Sequence, residues 1–394
     1  TNVSTQALHV VTADTAVLDN VKLSTADAIT IGAGTASIDA STTDEVALAA
    51  KTTVNNGTTL TINNYVDTNI SGLINQGSGS IVVNTTTGAV LDETKLADAT
   101  SVVLGAAATG AASAIDGIGT NGGNINLNNQ TLSVSGYTTE NLSGIPSAGT
   151  LNVTTLDGAV LDAAKLATAD SVTLVGTNTA TAADADTLGS RLGGTATLNI
   201  TTQPITADTN LSDLGSSLTL QFGGDNTTTV NGATLTVRQN QVSGYTISGS
   251  GTVVAAGTEN ADNFDASGIT ATTNFTSLAG ADSVTIAPSA LGSVDVINGG
   301  ADTDTLIFSA AASVVDGAFT NVSSVEILQL ANGTNSVSLG SEAEQAGITT
   351  VTGSTGADTL NLLYGTTGLT FTAGSGSDTL SYSADSATQS ITLS

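Results

Sequence analysis

The chain has 394 residues, with 34 acidic and 6 basic side chains and a formal net charge of −28 at pH 7. Nucleic-acid binding requires clustered Lys and Arg, so this charge excludes it. The lack of Cys excludes disulfides, thiolate nucleophiles and Cys-based zinc sites. The sequence contains no run of about 18 apolar residues that would span a membrane, and its 39% hydrophobic content indicates a folded chain.

One segment recurs three times without gaps in the first part of the chain. Its matching lysines are Lys22, Lys95 and Lys165, which gives repeat lengths of 73 and 70 residues. Each copy predicts a single helical turn with an outward Asp–Lys pair, such as Asp162 with Lys165, and then a half-buried strand. The copies occupy residues 16–31, 89–104 and 159–174.

A second motif follows each of these copies and consists of a strand, a loop and a second strand that begins at Gly or Ser. A fourth copy lacks the helical turn. We therefore predict that residues 1–255 hold about three β-repeats of 70–73 residues and a partial one. The copies lie at residues 59–83, 131–153, 197–220 and 234–254.

From about residue 256, short Gly/Ala-Asp turns precede apolar strands. Their aspartates are residues 262, 282, 302, 358 and 378, so that three of the four intervals are 20 residues. A fixed step is typical of a coiled solenoid in which each rung adds the same turn. We predict a second domain over residues 256–394, with a short helix near residues 341–346. The predicted fold is an all-β, elongated parallel β-solenoid, like a β-helix or β-roll, with short helical turns at its corners.

These acidic turns are candidate calcium sites. Ca²⁺ prefers six to eight oxygen ligands in flexible geometry, and Asp carboxylates with turn carbonyls supply them. If Asp282 and Asp302 stacked on neighbouring rungs, their repulsion would favour a cation between them. The alternative is that Asp serves only as a turn residue that accepts hydrogen bonds from the nearby backbone. The candidate ligands are Asp262, Asp282, Asp302, Asp304, Asp358 and Asp378.

Residues 353–360 resemble the calcium-binding repeats of RTX proteins. With the Thr/Ala/Gly-rich repeats before it, the chain resembles the cysteine-free, RTX-bearing surface-layer proteins and large adhesins of bacteria. This resemblance implies a β-roll over roughly residues 256–383, Ca²⁺ as a cofactor and a place outside the cell, at the bacterial surface. The sequence departs from the family pattern because RTX turns recur every nine residues in tandem.

Residues suited to catalysis are scarce. Carbohydrate-active β-helices use paired carboxylates or a basic residue in an aromatic-lined cleft. Here Trp is missing, and His9, Arg191 and Arg238 are far apart in sequence. We expect His9 to be an ordinary strand residue and the protein not to be an enzyme, and a carbohydrate-active β-helix enzyme is the least favoured function.

The leading hypothesis is a structural subunit of a surface layer or extracellular filament that self-assembles in a calcium-dependent way. Its partners would be further copies of itself and a cell-surface polysaccharide. The alternative hypothesis is a stalk or ligand-binding segment of a large RTX adhesin.

Overall fold

The protein is built almost entirely from short parallel strands. The computed structural model describes residues 7–40, 49–363, 368–383 and 391–393. The strands are β1 His9–Val11, β2 Ala16–Val17, β3 Ala28–Ile31, β4 Thr35–Asp39, β5 Thr52–Val54, β6 Thr59–Tyr65, β7 Ile74–Asn75, β8 Ser80–Thr85, β9 Ala89–Leu91, β10 Ser101–Val103, β11 Ala108–Ala111, β12 Ile125–Asn126, β13 Thr131–Tyr137, β14 Thr150–Thr155, β15 Val160–Leu161, β16 Ser171–Thr173, β17 Thr177–Ala180, β18 Leu192–Gly193, β19 Thr197–Ile200, β20 Thr209–Asn210, β21 Thr219–Phe222, β22 Thr227–Thr229, β23 Thr234–Arg238, β24 Thr246–Ser248, β25 Thr252–Ala256, β26 Asn263–Ala266, β27 Thr272–Thr276, β28 Ser283–Ile286, β29 Val296–Asn298, β30 Thr305–Phe308, β31 Ser313–Val314, β32 Val322–Ser323, β33 Ile327–Gln329, β34 Ser336–Leu339, β35 Thr350–Thr352, β36 Thr359–Leu362, β37 Leu369–Thr372, β38 Thr379–Tyr382 and β39 Ile391–Leu393.

Helices are short and lie between strands. The helix predicted near residues 341–346 is confirmed as α5. The α-helices that lie wholly within the described ranges are α1 Asn20–Leu23, α2 Ala112–Gly117, α3 Ala182–Leu188, α4 Gln239–Val242 and α5 Ser341–Ala346, and 3₁₀ turns occupy Thr120–Gly122, Gly189–Arg191 and Asp316–Phe319.

Alternating side chains explain why these segments form strands. In β6, Leu60 and Ile62 are each 2% exposed, while the threonines beside them lie nearer the surface. Leu60 pairs in register with Ile81 of β8, and Ile62 pairs with Val83. Apolar side chains therefore stack from rung to rung, and each fully buried Leu or Ile contributes about 1.5–3 kcal/mol. The predicted all-β parallel solenoid is confirmed.

The chain divides into two compact units. The first unit consists of residues 1–180, 190–198 and 215–218, and the second of residues 181–189, 199–214 and 219–394. The first unit contains sheets with the strand orders β1-β3-β5-β7, β12-β10-β8-β6-β4-β2 and β18-β16-β14-β13-β11-β9. The second contains β20-β23-β25-β27-β29-β32, β22-β24, β26-β28-β30-β33-β35-β37-β39 and β31-β34-β36-β38. The boundary predicted near residue 255 stays a prediction.

The repeated helical turn is only partly as predicted. Lys22 pairs with Asp19 three residues before it at 2.9 Å, as expected. The predicted pair of Asp162 with Lys165 is wrong, because the Asp162 carboxylate accepts the backbone N–H groups of Ala164 and Lys165. A short carboxylate at the start of a turn satisfies its free N–H groups, which leaves the lysine available for another partner.

Most basic side chains reach back to the preceding rung of the coil. Lys95 binds the Asp67 carboxylate at 2.6 Å, and Lys165 donates to the Thr139 carbonyl at 2.8 Å. Lys51 donates similarly to the Ser24 carbonyl at 3.3 Å. These contacts join successive rungs at their corners, where strand pairing is interrupted.

Candidate functional site

A ladder of acidic side chains runs along the second unit. We call it the first ladder; its members are Asp262, Asp282, Asp304 and Glu326, and they immediately precede β26, β28, β30 and β33. The backbone N–H of Asp262 donates to Asp282 Oδ1 at 2.6 Å, and that of Asp282 donates to Asp304 Oδ1 at 2.7 Å. The backbone N–H of Asp304 donates to Glu326 Oε2 at 2.9 Å. Each carboxylate therefore satisfies the N–H of the rung before it.

A second ladder, of Asn335, Asp358 and Asp378, precedes the strands of the neighbouring sheet, β34, β36 and β38. Asp358 Oδ1 accepts the Asn335 side-chain amide at 2.8 Å and its backbone N–H at 3.2 Å. The backbone N–H of Asp358 in turn donates to Asp378 Oδ1 at 2.9 Å. Both ladders thus have a carboxylate directly before a strand that accepts the backbone N–H of the equivalent residue one rung earlier. We infer that this hydrogen bond is a recurring feature of the turns that precede strands in the second unit.

The second carboxylate oxygens divide the ladder aspartates into two kinds. Asp262 Oδ2 accepts the backbone N–H of Thr258, and Asp358 Oδ2 accepts that of Ser354 at 2.8 Å. In both cases the donor lies four residues earlier in the same turn. Among the described residues, Asp282 Oδ2 and Asp304 Oδ2 have no hydrogen-bond partner, although these residues are only 2% and 1% exposed.

Gln239 extends the first ladder by one position. Its Nε2 donates to Asp262 Oδ1 at 3.0 Å, while its Oε1 is buried with no hydrogen-bond partner in the part of the chain that the structure describes. The first ladder with Gln239 therefore contains three buried oxygen atoms without a donor. A buried polar atom left unpaired costs free energy. A water, a proton or a cation would satisfy the two carboxylate oxygens, and a water or a cation would satisfy the Gln239 amide oxygen.

Burial also changes the acidity of Asp304. Desolvation raises the pKa of this carboxyl above its ordinary value of 3.8, and the nearby charges of Asp282, Glu326 and Asp302 raise it further, against one hydrogen bond that lowers it. The environment of Asp304 therefore destabilises the charged form of its carboxyl group.

Asp302 does not belong to the ladder. A parallel bridge joins Ala279 to Ala301, so that Asp302 lies level with Gly280 and accepts its N–H at 3.1 Å. The possible stacking of Asp282 on Asp302 is therefore wrong, and Asp304 occupies that position. Two extra residues between β28 and β29 lengthen the step to 22 residues, so the turn that contains Asp302 is itself no longer than the turn before β28. Asp302 itself has a φ of 79°, in the left-handed region.

Sequence reasoning missed Gln239, Glu326 and Asn335. None of them stands in a Gly/Ala-Asp turn. The signal that would have found Glu326 and Asn335 is their position directly before a strand, whereas Gln239 directly follows β23 as the first residue of α4. Within the described part of the chain, no three His, Cys, Asp or Glu side chains form a group that could hold a metal ion. Any cation at the ladder would also need amide, carbonyl or water oxygens.

The residues considered for catalysis do not come together. His9 is exposed on β1 of the first unit. Arg191 donates to the carbonyls of Leu166, Ala167 and Ala169. Arg238 donates in the same way to the carbonyls of Ser212 and Leu214. Both guanidinium groups thus bind turn carbonyls of their own unit.

No protein-family model, no curated protein and no solved structure matches this chain. Over the described ranges, no helix is long and apolar enough to cross a membrane.

Proposed function

We propose that the protein is a structural subunit of a bacterial surface layer or extracellular filament, and that Ca²⁺ bound along the first ladder stabilises it and promotes its assembly. The observation that carries this proposal is the set of buried oxygens without donors at Gln239, Asp282 and Asp304. The resemblance of residues 353–360 to RTX repeats, and the extracellular location which that resemblance implies, support the same function.

The spacing of the rungs suits a calcium ion. Paired strands lie about 4.8 Å apart, and Ca²⁺–oxygen distances are about 2.4 Å. A cation midway between Asp282 and Asp304 would therefore meet an oxygen from each rung. It would also stabilise the charged form of Asp304, whose pKa is raised by burial and, to a smaller extent, by nearby negative charges.

The overall charge favours assembly that depends on a cation. The chain carries a net charge of −28, so its copies repel one another. Divalent ions that bind carboxylates reduce this repulsion within a copy and between copies. A subunit with these properties would remain dispersed without calcium and associate when the ion is supplied.

The direct test compares thermal unfolding with millimolar Ca²⁺ and with EDTA for the wild type and for Asp304→Asn. One occupied site at 100 times its Kd adds about 2.7 kcal/mol, so we expect a clear rise in the wild-type melting temperature with Ca²⁺. Asp304→Asn should lose most of this rise. In EDTA the variant should be at least as stable as the wild type, because it removes an uncompensated buried charge.

The matched control is Asp295→Asn. Asp295 is 3% exposed, but Oδ1 accepts the Thr273 N–H at 2.7 Å and Oδ2 accepts that of Gly292 at 2.8 Å. This variant should be less stable in both buffers and keep the full response to calcium. A wild-type melting temperature that is the same in Ca²⁺ and EDTA would refute calcium binding.

Electron microscopy tests assembly separately. We expect ordered sheets or filaments in millimolar Ca²⁺ and dispersed particles in EDTA. Dispersed particles in both conditions, with the calcium-dependent rise in melting temperature intact, would contradict self-assembly. That result would favour the adhesin-stalk hypothesis.

A further inference from the structure

An open cleft lies within the second unit between helix α3, strand β20 and strand β23. It consists of two adjoining cavities of about 330 Å³ and 200 Å³, both lined by Asp186, Asp208 and Thr209. Asp186 projects from α3, and Asp208 immediately precedes β20. Neither residue belongs to the ladders, so the cleft is separate from the proposed calcium site.

Within the described ranges, the two carboxylates of the cleft have no cationic partner. Asp208 Oδ1 accepts the backbone N–H of Thr234 at 2.7 Å, and among the described residues the Asp186 carboxylate has no hydrogen bond or ion pair. The basic side chains of the protein are engaged elsewhere: Lys22 and Lys95 with carboxylates, and Lys51, Lys165, Arg191 and Arg238 with turn carbonyls. The cleft therefore repels anions and favours a ligand with a positive charge.

The remaining lining combines hydroxyl and methyl groups with one carboxamide, that of Asn210, whose Oδ1 accepts hydrogen bonds from Ser212. Hydroxyl groups both donate and accept hydrogen bonds, as the hydroxyl groups of a sugar require, and methyl groups offer apolar contact to its C–H faces. The hydroxyl residues are Thr187, Thr202, Thr206, Thr234 and Thr236, and the methyl-bearing residues are Ala182, Ala183 and Ala207. Thr209 and Ile205 form the buried floor of the cleft, where the Thr209 hydroxyl donates to the Ala207 carbonyl at 3.0 Å.

We propose that this cleft binds a saccharide that carries free amino groups, with its ammonium groups at Asp186 and Asp208 and its hydroxyls along the threonines. A charge-assisted hydrogen bond from an ammonium to a carboxylate is stronger than one between neutral groups. An aminosugar chain therefore gains more from this cleft than its uncharged counterpart does. The lining contains no aromatic ring for sugar stacking, so binding depends on the two carboxylates.

The test is calorimetric titration of the full chain, in EDTA and about 0.15 M NaCl, with a tetrasaccharide of glucosamine and with its fully N-acetylated form. The two ligands share one backbone and differ in charge. We expect the glucosamine form to bind at least tenfold more tightly. Asp186→Asn should weaken its binding severalfold, and Asp186→Asn with Asp208→Asn should weaken it about tenfold or more.

General attraction of a cation to an acidic protein must be separated from binding in the cleft. The control variant Glu259→Gln with Glu344→Gln removes the same charge from two exposed positions outside the cleft, and it should bind like the wild type. Asp208 accepts the Thr234 N–H, so its substitution could unfold the double variant. In that case the binding of the single Asp186→Asn variant tests the proposal. Equal binding of the two sugars, no binding of either, or equal losses in the cleft and control variants would overturn the proposal.

Discussion

At the scale of single residues, the protein uses short carboxylates to satisfy backbone N–H groups that strand pairing leaves free. The pattern extends beyond the ladders, because Asp27 accepts the N–H of Leu8 and Asp170 accepts that of Leu151 in the first unit. Each of these acids stands directly before a strand. Much of the acidic composition is therefore structural.

Glu140 allows a pH test of this role. Burial alone would raise the pKa of its carboxyl, but hydrogen bonds from Thr138 and Thr139 outweigh that effect and lower it below the ordinary value of 4.5. A lowered folded-state pKa stabilises the protein above about pH 4.5, and this contribution disappears as the pH falls through the folded-state value.

We expect Glu140→Gln to lower the free energy of unfolding by about 1 kcal/mol at pH 7. The difference from the wild type should shrink as the pH falls below about 4.5. Urea unfolding at a series of pH values measures it, with Glu259→Gln as the exposed control. A difference that stays constant across this range would contradict an ionic role for Glu140.

At the scale of elements, a carboxylate on one rung also begins a helix on the next. Asp316 Oδ1 accepts the N–H groups of Gly340 and Ala343 at 2.7 and 3.0 Å, and its Oδ2 accepts that of Glu342 at 3.2 Å. These donors belong to the first turn of α5, which has no side-chain cap of its own. The preceding rung therefore supplies the cap.

Substitution of Asp316 tests this dependence. Asp316→Ala leaves three N–H groups without an acceptor and removes a negative charge from a helix N-terminus, so we expect a loss of about 2 kcal/mol. Asp316→Asn keeps one acceptor oxygen and should lose less. Chemical unfolding of both variants measures the effect, and an Asp316→Ala variant as stable as the wild type would show that water replaces the cap.

At the scale of the whole molecule, charge opposes stability. The chain has 34 acidic and 6 basic residues, and the basic side chains already have partners within the chain. Self-repulsion of this kind is screened by salt, since the Debye length falls from about 10 Å at 0.1 M to about 3 Å at 1 M.

Salt and calcium should therefore act differently. We expect NaCl to raise the melting temperature gradually between 0.01 and 1 M, roughly over the range in which screening changes most. Millimolar CaCl₂ should raise it further than NaCl at equal ionic strength, because specific binding adds to screening. If the two salts raised the melting temperature equally at equal ionic strength, screening alone would explain the rise, and this result would contradict bound calcium.

Part of this architecture could be predicted from sequence and part could not. The alternation of residues and the repeat length predict parallel rungs, and the stacking of apolar side chains in β6 and β8 follows from it. The Gly/Ala-Asp pattern found the ladder positions of Asp262, Asp282, Asp358 and Asp378. It misplaced Asp302, because two extra residues between β28 and β29 make this step 22 residues long, so that Asp304 and not Asp302 stands directly before β30.

The oxygens without donors lay beyond sequence reasoning. Whether a ladder carboxylate is fully bonded depends on the direction of one backbone N–H four residues earlier. Thr258 and Ser354 supply that donor, whereas the N–H of Leu278 goes to the Thr258 carbonyl. The local backbone conformation sets the direction of this N–H, and the residue types of the Gly/Ala-Asp motif do not determine that conformation.

The ladder hydrogen bonds also have a polarity along the chain. In every step from Asp262 to Glu326, the donor comes earlier in the sequence than its acceptor. During synthesis from the amino end, the backbone N–H of the most recent ladder residue therefore has no carboxylate acceptor until the next rung has been made. Such coils should complete themselves vectorially, in the order of synthesis, with each added turn closing the one before it.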